Sequence, residues 1–165
     1  MVKLKIKFFK YLDFLDKVSD KCCEGYGKKY IDFDKIEPNL ASVDCLIIEE
    51  IKNYIVLIEF KNLNDLNQNE IEKWINNKEK IQQILLKGYE SYFVLRNICR
   101  DLAIIKKFNQ IEKRFILVYK ANFSKNKIKE HFKRKLKRLE ITFDNVLILE
   151  CKNFLNLLKR IDNVF

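Results

Sequence analysis

Asp44, Glu59 and Lys61 stand where charge is costly, at the margins of strongly apolar segments. Glu59 and Lys61 are two apart, so on a strand both side chains point to one face. They end the run Tyr54-Ile-Val-Leu-Ile-Glu-Phe60, and Asp44 opens the preceding run Ser42–Ile48. If the two runs pair antiparallel, the start of one lies beside the end of the other. Two carboxylates and an ammonium group would then converge at one edge of a sheet. That set suits metal-assisted hydrolysis. Two carboxylates bind a hard cation such as Mg²⁺ or Mn²⁺, with waters and phosphate oxygens completing its shell. The cation would polarise a phosphate and acidify a bound water, and the lysine would orient that water or stabilise developing charge.

A Glu-x-Lys triplet alone says little in a chain that is 34% charged, and it occurs three times. Glu50 and Lys52 fall in the polar connection between the two runs. Glu150 and Lys152 end a strand-like segment that already contains the nearest acid, Asp144. Only Glu59 and Lys61 have an acid on a preceding hairpin partner. The competing reading is an ordinary ion pair at a strand end.

The elements that must position these groups are legible from periodicity. Residues 3–22 read as an amphipathic helix carrying Leu4, Phe8, Leu12, Leu15, Val18 and Cys22, with Gly25 and Gly27 ending it. Strands are expected over 30–33, 42–48 and 54–60, the last two forming a hairpin covered on both faces. Asn64-Asp65 or Asn67 should cap a helix from about 70 to 87, with Gly88 marking a break or a close contact, and a second helix should follow over 90–108. A buried strand is expected at 114–119, a helix capped by Ser124 over 124–139, a strand at 145–149 and a last helix at 154–161. The order αβββ–α(α)–β–α–β–α describes a single α/β domain over residues 1–165, with a mixed central sheet flanked by helices.

Asp44, fourteen intervening residues and then Glu59-Phe60-Lys61 resembles the signature of the PD-(D/E)xK nuclease superfamily. The αβββαβ order over residues 3–119 is similar to its restriction-endonuclease-like core, with 120–165 as a C-terminal α-β-α extension. The resemblance implies that Asp44 and Glu59 are metal ligands, that the Phe60 carbonyl is a further ligand, and that Lys61 is the catalytic lysine. It also implies an acid from the first helix, either Asp20 or Glu24, and a substrate-facing lysine after the motif, such as Lys78 or Lys80. Val43, not proline, precedes Asp44. The Arg-Lys-Gly run of archaeal Holliday-junction resolvases and the Gln-x-x-x-Tyr element of RecB-like nucleases are not found, so the subfamily stays open.

Charge points to a polyanionic partner. The chain of 165 residues carries 33 Lys and Arg against 23 Asp and Glu, a net +10. Most of that surplus sits between 125 and 138, where Lys125, Lys127, Lys129, Lys133, Arg134, Lys135, Lys137 and Arg138 face a single acid, Glu130. With Ile128, Phe132, Leu136 and Leu139 buried, these cations would cover an outer face and grip a phosphate backbone in a salt-sensitive way. The competing reading is the solvated face of a lysine-rich protein. His131 is expected at the surface of this helix, and Trp74 with the Phe and Tyr residues in the core. One histidine and five cysteines without a Cys-x-x-Cys give no zinc ligand set. Cys45, Cys99 and Cys151 sit in apolar contexts as core residues, and a reducing cytoplasm fits. No run is long enough to span a bilayer. The expectation is a cytoplasmic, metal-dependent nuclease acting on DNA rather than RNA, with a homodimer where both strands are cut. The alternative is a non-catalytic nucleic-acid-binding or structural module that retains the fold, and a third is a protein-interaction subunit whose charge is incidental.

Overall fold

Alternate residues of the strand Tyr54–Asn62 serve two different cores, and this parity organises the molecule. The computed structural model describes residues 31–32, 40, 43–49 and 53–162; the helix expected over 3–22, with Asp20 and Glu24, lies outside them. A five-stranded sheet runs in sequence order: β1 (Ile31–Asp32), β2 (Cys45–Glu49), β3 (Tyr54–Asn62), β4 (Glu112–Lys120) and β5 (Asn145–Glu150). β1, β2 and β3 are antiparallel neighbours, whereas β3, β4 and β5 are parallel, so the sheet is mixed. The expected hairpin is present, with Cys45 opposite Ile58 and Glu49 opposite Tyr54. Parallel neighbours need long crossovers. The first supplies α1 (Gln68–Asn76), α2 (Lys78–Asp101) and α3 (Ile105–Gln110). The second supplies α4 (Lys125–Lys135) and a 3₁₀ helix (Leu136–Ile141), and α5 (Cys151–Asp162) follows β5.

One face of the sheet presents Leu46, Ile55, Leu57, Phe115, Leu117 and Tyr119 to the helices of the two crossovers. The other presents Cys45, Tyr54, Val56, Ile58, Phe60, Ile116 and Val118 to Cys151 and Phe154 of α5. Both faces are therefore covered, as the near-continuous apolar runs require. Glu59 and Lys61 share parity with Ile55 and Leu57, so they point toward the crossover helices. The far ends of β3 and β4 are tied together on that side. The Leu63 amide donates to the Lys120 carbonyl at 2.8 Å, and Asn122 Nδ2 donates to the Asn64 carbonyl at 3.0 Å.

Helix boundaries depart from expectation at several places. Asn67 caps α1 in a reciprocal box, its Oδ1 accepting from the Glu70 amide at 3.0 Å while Glu70 Oε2 accepts from the Asn67 amide at 2.8 Å. The expected 70–87 helix is then split at Asn77, not at Gly88. Asn77 turns extended (φ −72°, ψ 111°) and its side chain accepts from the Glu79 and Lys80 amides. A short polar side chain that satisfies the next turn's amides competes with helix continuation. Gly88 instead lies inside a 24-residue helix, where a Cβ would come within 3.0 Å of Leu139 Cδ2 and 3.3 Å of Phe115 Cε2. It is a close contact that seats α2 against the 3₁₀ helix. Ser124 makes no capping bond and stands at φ 52°, and the expected 124–139 helix tightens to 3₁₀ from Leu136. Asp144 precedes β5 and accepts the Lys113 amide at 2.7 Å. Cys45 and Cys99 are buried thiols outside any disulfide, whereas Cys151 is buried but disulfide-bonded, so it is not the core thiol expected. Burial raises the Cys99 thiol to about 12, which makes it an inert packing group. Among the described residues no helix is long and apolar enough to cross a membrane.

α2 ends in a Schellman motif. The Ile104 amide donates to the Cys99 carbonyl at 2.8 Å and the Ala103 amide to the Arg100 carbonyl at 2.9 Å. The left-handed position of that motif (φ 56°) is filled by Ala103, where glycine is the residue without a Cβ penalty. Ala103→Gly is expected to stabilise the protein by about 1 kcal/mol in urea unfolding; a loss of stability would show that the Ala103 methyl contributes more than its backbone strain removes.

Candidate functional site

The hairpin register brings the acids together. Because Cys45 faces Ile58, the next position outward sets Asp44 beside Glu59. Asp44 sits in a bend just before β2 and is 5% exposed; Glu59 is completely buried. Two devices hold Asp44. Its Oδ2 accepts the Phe60 amide at 2.6 Å, tying it to the neighbouring strand. The preceding Val43 amide donates to Ser91 Oγ of α2 at 2.8 Å, which fixes the chain entering the site.

The same helix delivers a cation. One turn before Ser91, Lys87 places its Nζ 3.0 Å from Glu59 Oε1, 3.1 Å from Glu59 Oε2 and 3.7 Å from Asp44 Oδ1. Lys61 also pairs with Glu59 Oε1. Two carboxylates from adjacent strands thus address one ammonium group, flanked by a second. Lys61 and Lys87 each keep about a quarter of their side chains exposed (25% and 26%), so both reach from solvent into a buried acid pair. A cavity of about 170 Å³ opens here, lined by Glu59, Lys61, Lys87, Lys80, Trp74, Gln83 and Ile84.

Electrostatics place Glu59 under tension. Burial is the largest influence and raises its pKa above the ordinary 4.5, the Asp44 carboxylate raises it further, and Lys61 and Lys87 pull it down without cancelling the rise. Burial and the neighbouring Asp44 carboxylate both penalise the Glu59 charge, and a bound cation would relieve that penalty. Asp44 and Glu59 fit such an ion, since their oxygens already converge on one cation. They do not enclose it: among the described residues no group of three or more His, Cys, Asp or Glu is arranged to hold a metal. Backbone and water oxygens would have to supply the rest, as Mg²⁺ tolerates.

Of the residues singled out in the sequence, Asp44, Glu59, Phe60 and Lys61 come together, and Lys80 lines their cavity. Lys78 does not; it lines another cavity with His131, Arg134, Lys135 and Arg138. His131 is not the surface residue expected but is 7% exposed, because its helix position faces α1 instead of solvent. In the basic segment, Lys125 pairs with Glu150 and Lys127 with Glu72, while Lys129, Lys133, Arg134, Lys135, Lys137 and Arg138 are exposed. Glu150 of the third Glu-x-Lys is thus engaged by Lys125, and Glu50 and Lys52 lie outside the described residues. Lys87 and Ser91 were missed as site residues. The signal was a polar residue on a buried stripe: Ser91 falls among Ile84, Gly88, Leu95 and Cys99, all buried, with Lys87 one turn earlier.

A raised folded-state pKa means that the neutral carboxyl favours the fold. That contribution is fully present below the unfolded value near 4.5 and is lost as pH rises through the folded value. Glu59→Gln should therefore melt at the same temperature as wild type or a few degrees higher at pH 7, with the difference shrinking toward pH 4.5. A fall of several degrees at pH 7 in calorimetry would make Glu59 the centre of a structural ion-pair network instead.

Comparison of the chain with protein-family models, curated proteins and solved structures returned no match.

Proposed function

We propose that the protein is a metal-dependent nuclease that hydrolyses phosphodiester bonds, in DNA rather than RNA. One observation carries the reading: Asp44, in the bend that opens β2, and Glu59, on the neighbouring antiparallel β3, are buried and turn their oxygens to one cation. Charge of that kind inside an apolar sheet works against folding, and is characteristic of functional sites. The resemblance of Asp44 and Glu59-Phe60-Lys61 to the PD-(D/E)xK signature supports the same assignment.

In this reading Asp44, Glu59 and the Phe60 carbonyl would hold Mg²⁺ or Mn²⁺. The bound ion would supply positive charge that polarises the phosphate and lowers the pKa of a coordinated water. Lys61, held by Glu59 yet open to solvent, orients the attacking water and stabilises charge developing on the phosphate. Lys87 balances the acid pair and holds the two carboxylates in register before a divalent ion arrives. Lys80 faces the same cavity and contacts substrate phosphate. The exposed cations between 129 and 138 hold the backbone away from the reacting bond. The disulfide at Cys151 removes the support that free core thiols gave to a reducing cytoplasm, and the proposed assembly is a homodimer where both strands are cut.

A second reading rests on Lys87 itself. An ammonium group that already bridges the two carboxylates does electrostatically what a metal would do, and this favours a module that keeps the fold and binds nucleic acid without cutting it.

Incubation of labelled single-stranded, duplex and branched DNA with Mg²⁺, Mn²⁺ or EDTA separates the two. The nuclease reading expects metal-dependent cutting that disappears in Glu59→Ala and falls by about 10²–10³-fold in Lys61→Ala, with binding and circular dichroism kept. Millimolar Mg²⁺ or Mn²⁺ should also raise the melting temperature of wild type and not of Glu59→Ala. Salt-sensitive binding with no cutting and no metal-induced stabilisation would establish the non-catalytic module.

A further inference from the structure

A second cavity, about 650 Å³, lies between α1, the start of α2 and α4 with the 3₁₀ helix. It shares no lining residue with the cavity of Glu59. α2 separates them by helical periodicity: Lys80, Gln83, Ile84 and Lys87 turn to one, and Lys78, Ile81, Gln82 and Leu85 to the other. Its wall carries four cations from three elements, Lys78, Arg134, Lys135 and Arg138, and no acid. Ile75, Ile81 and Leu85 give it an apolar floor. The volume falls in the range of small-molecule sites, and an apolar floor beside a few convergent polar groups is the composition such sites usually have.

His131 is an independent pointer. It lines this cavity, is 93% buried by its 7% exposure, and its Nε2 has no hydrogen-bond partner among the described residues. The ring is held by a hydrogen bond to the Ile75 backbone, and Nε2, buried beneath the cavity wall, has no partner among the described residues. Buried polar atoms are nearly always satisfied, so an orphan beneath a cavity wall asks for a ligand. Burial first, then Arg134 and Lys135, lower the His131 pKa, and an anion among those cations would relieve the second influence.

We propose that this cavity is a binding site for a phosphate-bearing ligand of nucleotide size, its phosphate held by Lys78, Arg134, Lys135 and Arg138 and its remainder resting on Ile75, Ile81 and Leu85. The guanidinium groups of Arg134 and Arg138, four residues apart on its wall, give the site its selectivity, since planar paired donors match phosphate oxygens. The ligand is either a free nucleotide or the terminal phosphate of a nucleic-acid strand. The site does not depend on the nuclease reading, because it uses none of Asp44, Glu59, Lys61 or Lys87.

His131 is the one histidine in the chain, so its imidazole resonance reports the cavity without assignment ambiguity. The experiment titrates full-length protein in EDTA, at fixed pH and salt, with inorganic phosphate, with adenosine diphosphate, and with a short oligonucleotide bearing a 5′-phosphate or a 5′-hydroxyl. The site predicts a saturable His131 shift with the diphosphate or the 5′-phosphorylated strand, and which of the two saturates first names the source. Affinity should fall by roughly tenfold or more in Arg134→Ala/Arg138→Ala and independently in Lys78→Ala, which comes from a different helix. All three side chains are exposed, and unchanged melting temperatures would show that the variants fold. Equal binding of the two oligonucleotides, without a His131 shift from the diphosphate, would overturn the proposal and leave α4 a general backbone-binding face. Metal-dependent cutting is absent from this readout, so failure here leaves the Glu59 site untouched, and the reverse.

Discussion

The structure depends on holding a carboxyl group inside the sheet, where burial penalises its charge. Glu59 lies in the third strand with no exposed surface, beside Asp44, which is nearly as buried. Desolvation and mutual repulsion both push such a pair toward neutrality. The molecule answers with two ammonium groups, Lys61 from the same strand and Lys87 from the long helix above it. A buried pair of this kind adds little or nothing to stability compared with apolar packing, and removal of one partner leaves an uncompensated charge. Folding stability therefore does not account for its presence in an otherwise continuous apolar sheet.

Everything that positions the acids follows from the side-chain parity of β3. Even-numbered residues between Tyr54 and Phe60 pack against α5, and odd-numbered ones face the crossover helices. A one-residue slip of register would send Glu59 to the α5 face and away from both Asp44 and Lys87. The slip is prevented from three sides: the β2 and β4 ladders, the Phe60 amide bond to Asp44, and the Ser91 bond to the Val43 amide. α2 is thus both lid and clamp, one turn of it supplying Lys87 and the next supplying Ser91.

The same helix divides two kinds of electrostatic environment. On one side its residues close a small cavity around paired acids; on the other they meet α4 across a larger cavity walled by cations. The basic segment is not uniform either. Lys125 and Lys127 are engaged by Glu150 and Glu72, and Arg134, Lys135 and Arg138 gather with Lys78 around His131. A positive stretch in the chain has become a neutralised start and a concave, unneutralised continuation.

Local patterning in the sequence determined the strands, their hairpin, the mixed α/β order and the Asp44, Glu59 and Lys61 cluster, because short apolar runs joined by a short polar connection pair with their neighbours and bring the start of one beside the end of the next. It offered Asn64-Asp65 or Asn67 as the helix cap, and the reciprocal bonds with Glu70 selected Asn67. What it could not decide were features set by partners distant in the chain. Asn77, not Gly88, breaks the helix, because Gly88 is needed where Leu139 and Phe115 approach. His131 is buried because α4 leans on α1, and a helix pattern alone does not say which neighbour it meets. Lys87 reached the acids because a 24-residue helix crosses the sheet at one place, 28 residues from Glu59. Periodicity says which residues share a face; only packing in three dimensions decides what that face is pressed against.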